Sequence, residues 1–350
     1  MLSKAETWER IIVVKYIHPV KISSAEGFVG EIYAQIKRDF GRVVEPFALH
    51  SPLPKLLAGA WMACRETELT GSVPRSLKEA VAAAISVLNH CPYCVDAHSI
   101  MLEAAGEHAV ANSLNHARYS EIKDAEMRSV IQWALNTKKP EMETRSLSLA
   151  PHEEPEVIGT AVFYHYINRM ATVLLSETPL PSNNKWLKSQ FKRIAGRMFA
   201  RAVSRSKTAG ESLKFLPAAT LPANLQWAEA NPAIAQAFAR FSAAIDEVGE
   251  NAMPLRCRKH VEAFVGKWWG ESISQNKQWI DHETKGFDES VKSMVQLAML
   301  AAVASWQVDE RRILMFRKYF PGERVLLSTL AWGSFTAAKR IGTWMRLSNI

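Results

Sequence analysis

Apolar residues recur at three- and four-residue spacing along the chain, which predicts helices at about 25–39, 52–68, 75–88, 92–105, 107–117, 121–137 and 153–175. The breaks are punctuated: Pro74 follows Gly71-Ser72, Asn89 ends an Ala-rich run, Pro92 suits a first helical turn and Gly106 closes that helix. The longest uncharged apolar run, Ser293 to Val308, covers 16 residues and includes Gln296 and Gln307. That falls short of the ~20 residues a bilayer requires, so it reads as a buried core helix. Glycine and proline are sparse at 16 each, and an all-β sandwich is unsupported. The expected fold class is all-α.

A chain of 350 residues, 48% hydrophobic and 22% charged, can bury a sizeable core and is long enough for two domains or one unit built twice. Composition shifts suggest a helical domain over 1–176, a basic linker helix over 177–222 and a second helical unit over 223–350. An offset of 180 pairs Pro52 with Pro232, Pro74 with Pro254 and Gly106 with Gly286, as a duplicated unit that kept its breakers would. At that offset Glu79, Cys91, Cys94 and His98 meet Lys259, Glu271, Ser274 and Gln278. The second unit is therefore expected to be degenerate, with Trp268, Trp269 and Trp279 filling what was a pocket.

The net charge of +8 is local. Between Thr178 and Gly210 there are no acids and eight bases: Lys185, Lys188, Lys192, Arg193, Arg197, Arg201, Arg205 and Lys207. The four arginines repeat every four residues and form one helical stripe. Such a helix can meet an anionic membrane or nucleic acid, but it carries no groove-reading motif, and a solvated or subunit-facing stripe is the simpler reading. Lys4, Glu6, Glu9 and Arg10 stand where a secretory leader needs an unbroken apolar segment, which predicts a cytoplasmic protein.

Cys64, Cys91, Cys94 and Cys257 are too few for a disulfide-stapled scaffold, and two of them lie three residues apart. Cys91 precedes Pro92 and is expected at a helix N-cap, where free N–H groups and the helix dipole stabilise a thiolate. Cys94 lies in the first turn, and a C-x-x-C pair there closes a disulfide with little backbone movement. His98 is four residues beyond Cys94, on the same helix face, and can exchange a proton with the thiol. Glu79, from the preceding helix, can orient or charge that imidazole. Cys91, Cys94 and His98 also offer three zinc ligands, although no second C-x-x-C or C-x-x-H completes a site. Cys64 and Cys257 read as buried core cysteines.

The pattern Glu-x11-Cys-x2-Cys-x3-His, set in His90-Cys91-Pro92-Tyr93-Cys94-Val95-Asp96-Ala97-His98, resembles the signature of the alkylhydroperoxidase D-like superfamily, which includes carboxymuconolactone decarboxylase. The likeness is clearest over about 52–106 and extends to the Tyr166-Ile167-Asn168-Arg169 helix. It implies an all-helical fold, Cys94 as the thiol that attacks peroxide, Cys91 as the thiol that resolves it, and Glu79 and His98 as a proton relay. It also implies an oligomer that needs no metal or organic cofactor, takes a hydroperoxide substrate and is recharged by an external dithiol or thiol protein. The type member carries a histidine where this chain has Tyr93. His90, Tyr93, Tyr166 and Asn168 are further pocket candidates. A lactone decarboxylase-like lyase and a non-enzymatic redox-sensing or interaction protein are the competing functions.

Overall fold

The computed structural model describes residues 14–140, 149–180 and 185–345, with the side chains of 185–189 and 193 outside that description. Among the described residues the fold is all-α, with only an isolated antiparallel bridge between Val14 and Leu175. The first part comprises α1 (Gly27–Phe40), α2 (Glu45–Ala48), α3 (Pro54–Cys64), α4 (Arg75–Leu88), α5 (Pro92–Ala104), α6 (His108–Asn115), α7 (Ala125–Ala134) and α8 (Glu154–Leu174). α9 (Lys185–Ser204) follows, and then α10 (Pro232–Ala252), α11 (Leu255–Lys267), α12 (Gln278–Glu283), α13 (Glu289–Val303), α14 (Glu310–Arg317) and α15 (Glu323–Gly342).

α8 and α13 are apolar nearly all round, as centrally placed helices must be. α3 packs against α10, and α8 lies between α4 and α15, so one continuous buried cluster runs from Ile17 to Met345. No helix among the described residues is long and apolar enough to cross a membrane. The Ser293–Val308 run is the buried body of α13 with the short 3₁₀ turn Ser305–Gln307 after it, as its pattern suggests.

Local chemistry fixes the start of α4. Gly71 has φ of 92° and abuts the Glu156 carboxylate so closely that a Cβ has no room there. Glu156 accepts from the backbone N–H groups of Ser72 (3.0 Å) and Val73 (3.2 Å) and from Lys78 Nζ (2.7 Å), tying the turn before α4 to α8. α3 continues into one wide π-type turn, Arg65–Leu69, all of whose side chains are buried.

Two features bear on the expected organisation. The 180-residue offset holds as far as α4 against α11, then falls out of step: where α5 has 13 residues, the second part has irregular chain to Lys277 and a six-residue α12. The basic segment, expected as a linker helix over 177–222, contains α9, which packs along α5 with Ala195 buried beside Ile100 and Leu180.

Candidate active site

Cys91 is the N-cap of α5, with extended backbone and Pro92 behind it at the first helical position. Its N–H is used by Ser86 O at 3.0 Å, which turns the chain sharply out of α4 into α5. Cys91 and Cys94 are joined as a disulfide with Cα atoms 5.4 Å apart, within the usual range for such bridges. Both are almost fully buried, but only Cys94 reaches the cavity beside them. Cys64 and Cys257 are free and buried.

One turn beyond Cys94, His98 Nδ1 donates to Glu79 Oε2 across the α4–α5 contact at 2.8 Å. The other oxygen of Glu79 accepts from Arg75 Nε at 2.8 Å, one turn earlier on α4. Arg75 also lies 3.4 Å from Glu68 Oε1, and Glu68 Oε2 accepts from Tyr164 OH (2.7 Å) and Cys64 Sγ (3.2 Å). The Tyr164 ring meets His98 edge-on at 4.5 Å. Glu68, Arg75, Glu79 and Tyr164 are thus one buried network behind His98.

The network separates its carboxylates. Burial pushes Glu79 up, but Arg75 and the His98 hydrogen bond outweigh it and hold the group at about 2. Burial raises Glu68, and the Glu79 charge adds to that against Arg75. Burial and Glu68 drive the Tyr164 phenol well up, so it stays a hydrogen-bond donor. The ionised Glu79 carboxylate engages His98 through Nδ1, so Nε2 is the ring nitrogen not used in that bond. Ligand atoms of Glu68, Glu79 and His98 come within 4.8 Å of one another, an arrangement compatible with a metal, but the Arg75 guanidinium already supplies that cluster with a cation.

In front of Cys94 and His98 is a cavity of about 120 Å³. Its walls are apolar: Phe40, Phe47, Met101, Phe163, Ile167 and Phe199 are among them, with Arg42 and Glu45 the charged exceptions. Tyr93 lines it too, and its OH donates to Glu45 Oε2 at 2.9 Å. α9 closes one side through Ala195 and Phe199 and is held to α5 by Lys192 Nζ on Asp96 Oδ1 at 2.8 Å.

The four residues expected to act together, Glu79, Cys91, Cys94 and His98, are brought together, and Tyr93 joins the cavity wall. Three further pocket candidates do not. His90 is exposed, with φ of 54°, and its ring meets Trp306. The Tyr166 OH bonds His50 Nε2 at 2.7 Å, and its ring packs on Phe241 and Phe335 in the core. Asn168 accepts from Asn89 (3.0 Å) and donates to Ser86 Oγ (3.1 Å), a clamp on the end of α4. Of α8, Phe163, Tyr164 and Ile167 line the cavity, whereas Tyr166 and Asn168 flank that face on either side and are taken up by the contacts just given. Sequence reading missed Glu68, Arg75 and the wall from α9. The signal for Arg75 is its place four residues before Glu79; Glu68 has none beyond its burial.

The profile of the Carboxymuconolactone decarboxylase family matches residues 55–118, the stretch that carries the thiol pair and both carboxylates of the network. An alkyl hydroperoxide reductase of Mycobacterium tuberculosis is 37% identical over 332 residues, 95% of each chain. The chain belongs to the alkylhydroperoxidase D-like and carboxymuconolactone decarboxylase superfamily. A structure titled the alkylhydroperoxidase AhpD core, an uncharacterized peroxidase-related protein from Ralstonia eutropha, aligns with 52% of this chain and 98% of its own at 17% identity and a TM-score of 0.39. The superfamily profile stops before α8 and α9, so the walls supplied by Phe163, Ile167, Ala195 and Phe199 lie outside the matched stretch.

Proposed function

We propose that this protein is a thiol peroxidase that reduces hydrogen peroxide or organic hydroperoxides. The observation that carries the reading is that of the two paired sulfurs only Cys94 reaches the cavity, on the same wall as His98. The relative named alkyl hydroperoxide reductase supports it.

In the reduced protein, His98 Nε2 takes the Cys94 proton, with the imidazolium stabilised by Glu79 and the thiolate by the start of α5. The thiolate attacks the nearer peroxide oxygen: the S–O bond forms, the O–O bond breaks, and the leaving alkoxide takes the proton from His98 as alcohol. Cys94 is now a sulfenic acid. The Cys91 thiol displaces its hydroxyl as water, and the disulfide forms across the first turn. An external dithiol then reduces the bridge by exchange.

Anaerobic thiol titration before and after one equivalent of cumene hydroperoxide tests this. Loss of two thiols per chain with one equivalent of alcohol formed is expected. An unchanged thiol count overturns the reading.

A further inference from the structure

The inner face of α9 is accounted for by Lys192, Ala195 and Phe199, which meet α5 and the cavity. Its outer face is of a different kind. Ile194 and Met198 are 54% and 70% exposed, and Arg197, Arg201 and Arg205 are exposed beside them. Ile194, Arg197, Met198 and Arg201, at spacings of three, four and seven residues, lie on one side of the helix over about 10 Å of its length, and Arg205 follows just past its end. Some exposed bases elsewhere have acidic partners, as in Lys55–Glu247, Arg118–Glu121, Arg256–Asp288 and Lys277–Asp309, whereas lone ones such as Lys37, Lys123 and Arg324 stand singly rather than in a row. Arg197, Arg201 and Arg205 form no ion pair among the described residues, and no acid lies between Thr178 and Gly210 to supply one locally.

We propose that the outer face of α9 docks on an anionic lipid surface, with Ile194 and Met198 entering the acyl boundary and Arg197, Arg201 and Arg205 lying among the headgroups. The combination selects the occupant. A nucleic acid satisfies the arginines but leaves two large apolar side chains in water, whereas a bilayer interface takes both. A second copy of this chain, paired through a two-fold axis, sets one arginine stripe against another in a molecule already at +8. The side chains needed lie apart from those in the candidate active site, so the inference stands independently of the peroxidase reading.

Flotation of the full chain with phosphatidylcholine vesicles, alone and with about a third phosphatidylglycerol, tests it. Binding is expected only to the anionic vesicles and is expected to fall steeply with salt. R197Q/R201Q/R205Q should lose about 10²-fold in partition coefficient, from the usual contribution of each base at a membrane surface. I194S/M198S should lose about 10-fold while keeping the wild-type melting temperature. Wild-type binding that survives high salt, or equal binding to neutral vesicles, overturns the proposal without any variant. So does tight binding to duplex DNA with none to vesicles, which assigns the stripe to nucleic acid. Sedimentation that shows a dimer lost in I194S/M198S gives the face to a second copy and overturns it equally.

Discussion

Arg75 and Glu79 stand one turn apart on α4, and the guanidinium donates to the carboxylate oxygen that His98 leaves free. One carboxylate therefore answers to two cations from opposite sides, and it is itself fully buried while Arg75 keeps a small exposed edge. Its charge state is set by Arg75 before His98 is considered, and the tautomer of His98 follows from it.

Removing Arg75 should consequently do more harm than removing most buried side chains. Arg75→Gln leaves Glu68 and Glu79 without their shared cation, and a loss of about 3 kcal/mol in unfolding free energy is expected from breaking a buried pair on one side. Urea unfolding measures it. Peroxide reduction should fall as well, and Arg75→Lys should restore part of both.

Acid stability should report Glu79. Its pKa falls from an ordinary 4.5 to about 2 on folding, so its contribution is complete above about pH 4.5 and is lost as pH falls toward 2. The full contribution is about 3 kcal/mol. Urea midpoints at pH 6 and pH 3 should differ more in the wild type than in Glu79→Gln; an equal drop in both refutes the assignment.

The two thiols should separate under substitution. Cys94→Ser is expected to consume no peroxide. Cys91→Ser should react once and stop, accumulating a sulfenate on Cys94 that a dimedone-type probe labels. A sulfenate trapped on Cys91 in Cys94→Ser reverses the roles. His98→Ala should slow the first step by about 10²-fold, the usual worth of a positioned base.

Much of this site is visible in the chain itself. The Ala-rich run bounded by Pro74 and Asn89 is α4 at its expected limits, Arg75–Leu88, and the Cys94-to-His98 spacing puts both on one face. Those relations are local, and helix periodicity transmits them directly. Glu68 and Tyr164 come from separate elements and acquire meaning only when packing removes their water, which no spacing encodes. The offset of 180 runs out after α4 and α11 for a related reason: breakers mark where helices end, not what they pack against, and the second part has irregular chain at the α5 step. In α9 the dense positive charge hides the small inward stripe, Ala195 and Phe199, that makes it a wall rather than a tether.

That wall offers a separate test of substrate choice. Ala195→Phe places a ring in a cavity of about 120 Å³ and should raise KM for cumene hydroperoxide by about 10-fold, while hydrogen peroxide is turned over nearly as before. Equal effects on both substrates would mean the ring disturbs Cys94 itself.

The cavity is assembled from distant parts of the chain: residues before α3, α5 itself, one face of α8 and the inward stripe of α9. The thiol pair and its charged network, by contrast, are contained in a single stretch, Glu68 to His98, with Cys64 and Tyr164 supporting Glu68 from outside it. Chemistry and enclosure are thus drafted in different paragraphs of the same text. Substitutions at Phe40, Ile167 or Phe199 can resize the room and change which guests enter, while the route by which a proton leaves sulfur stays as it is.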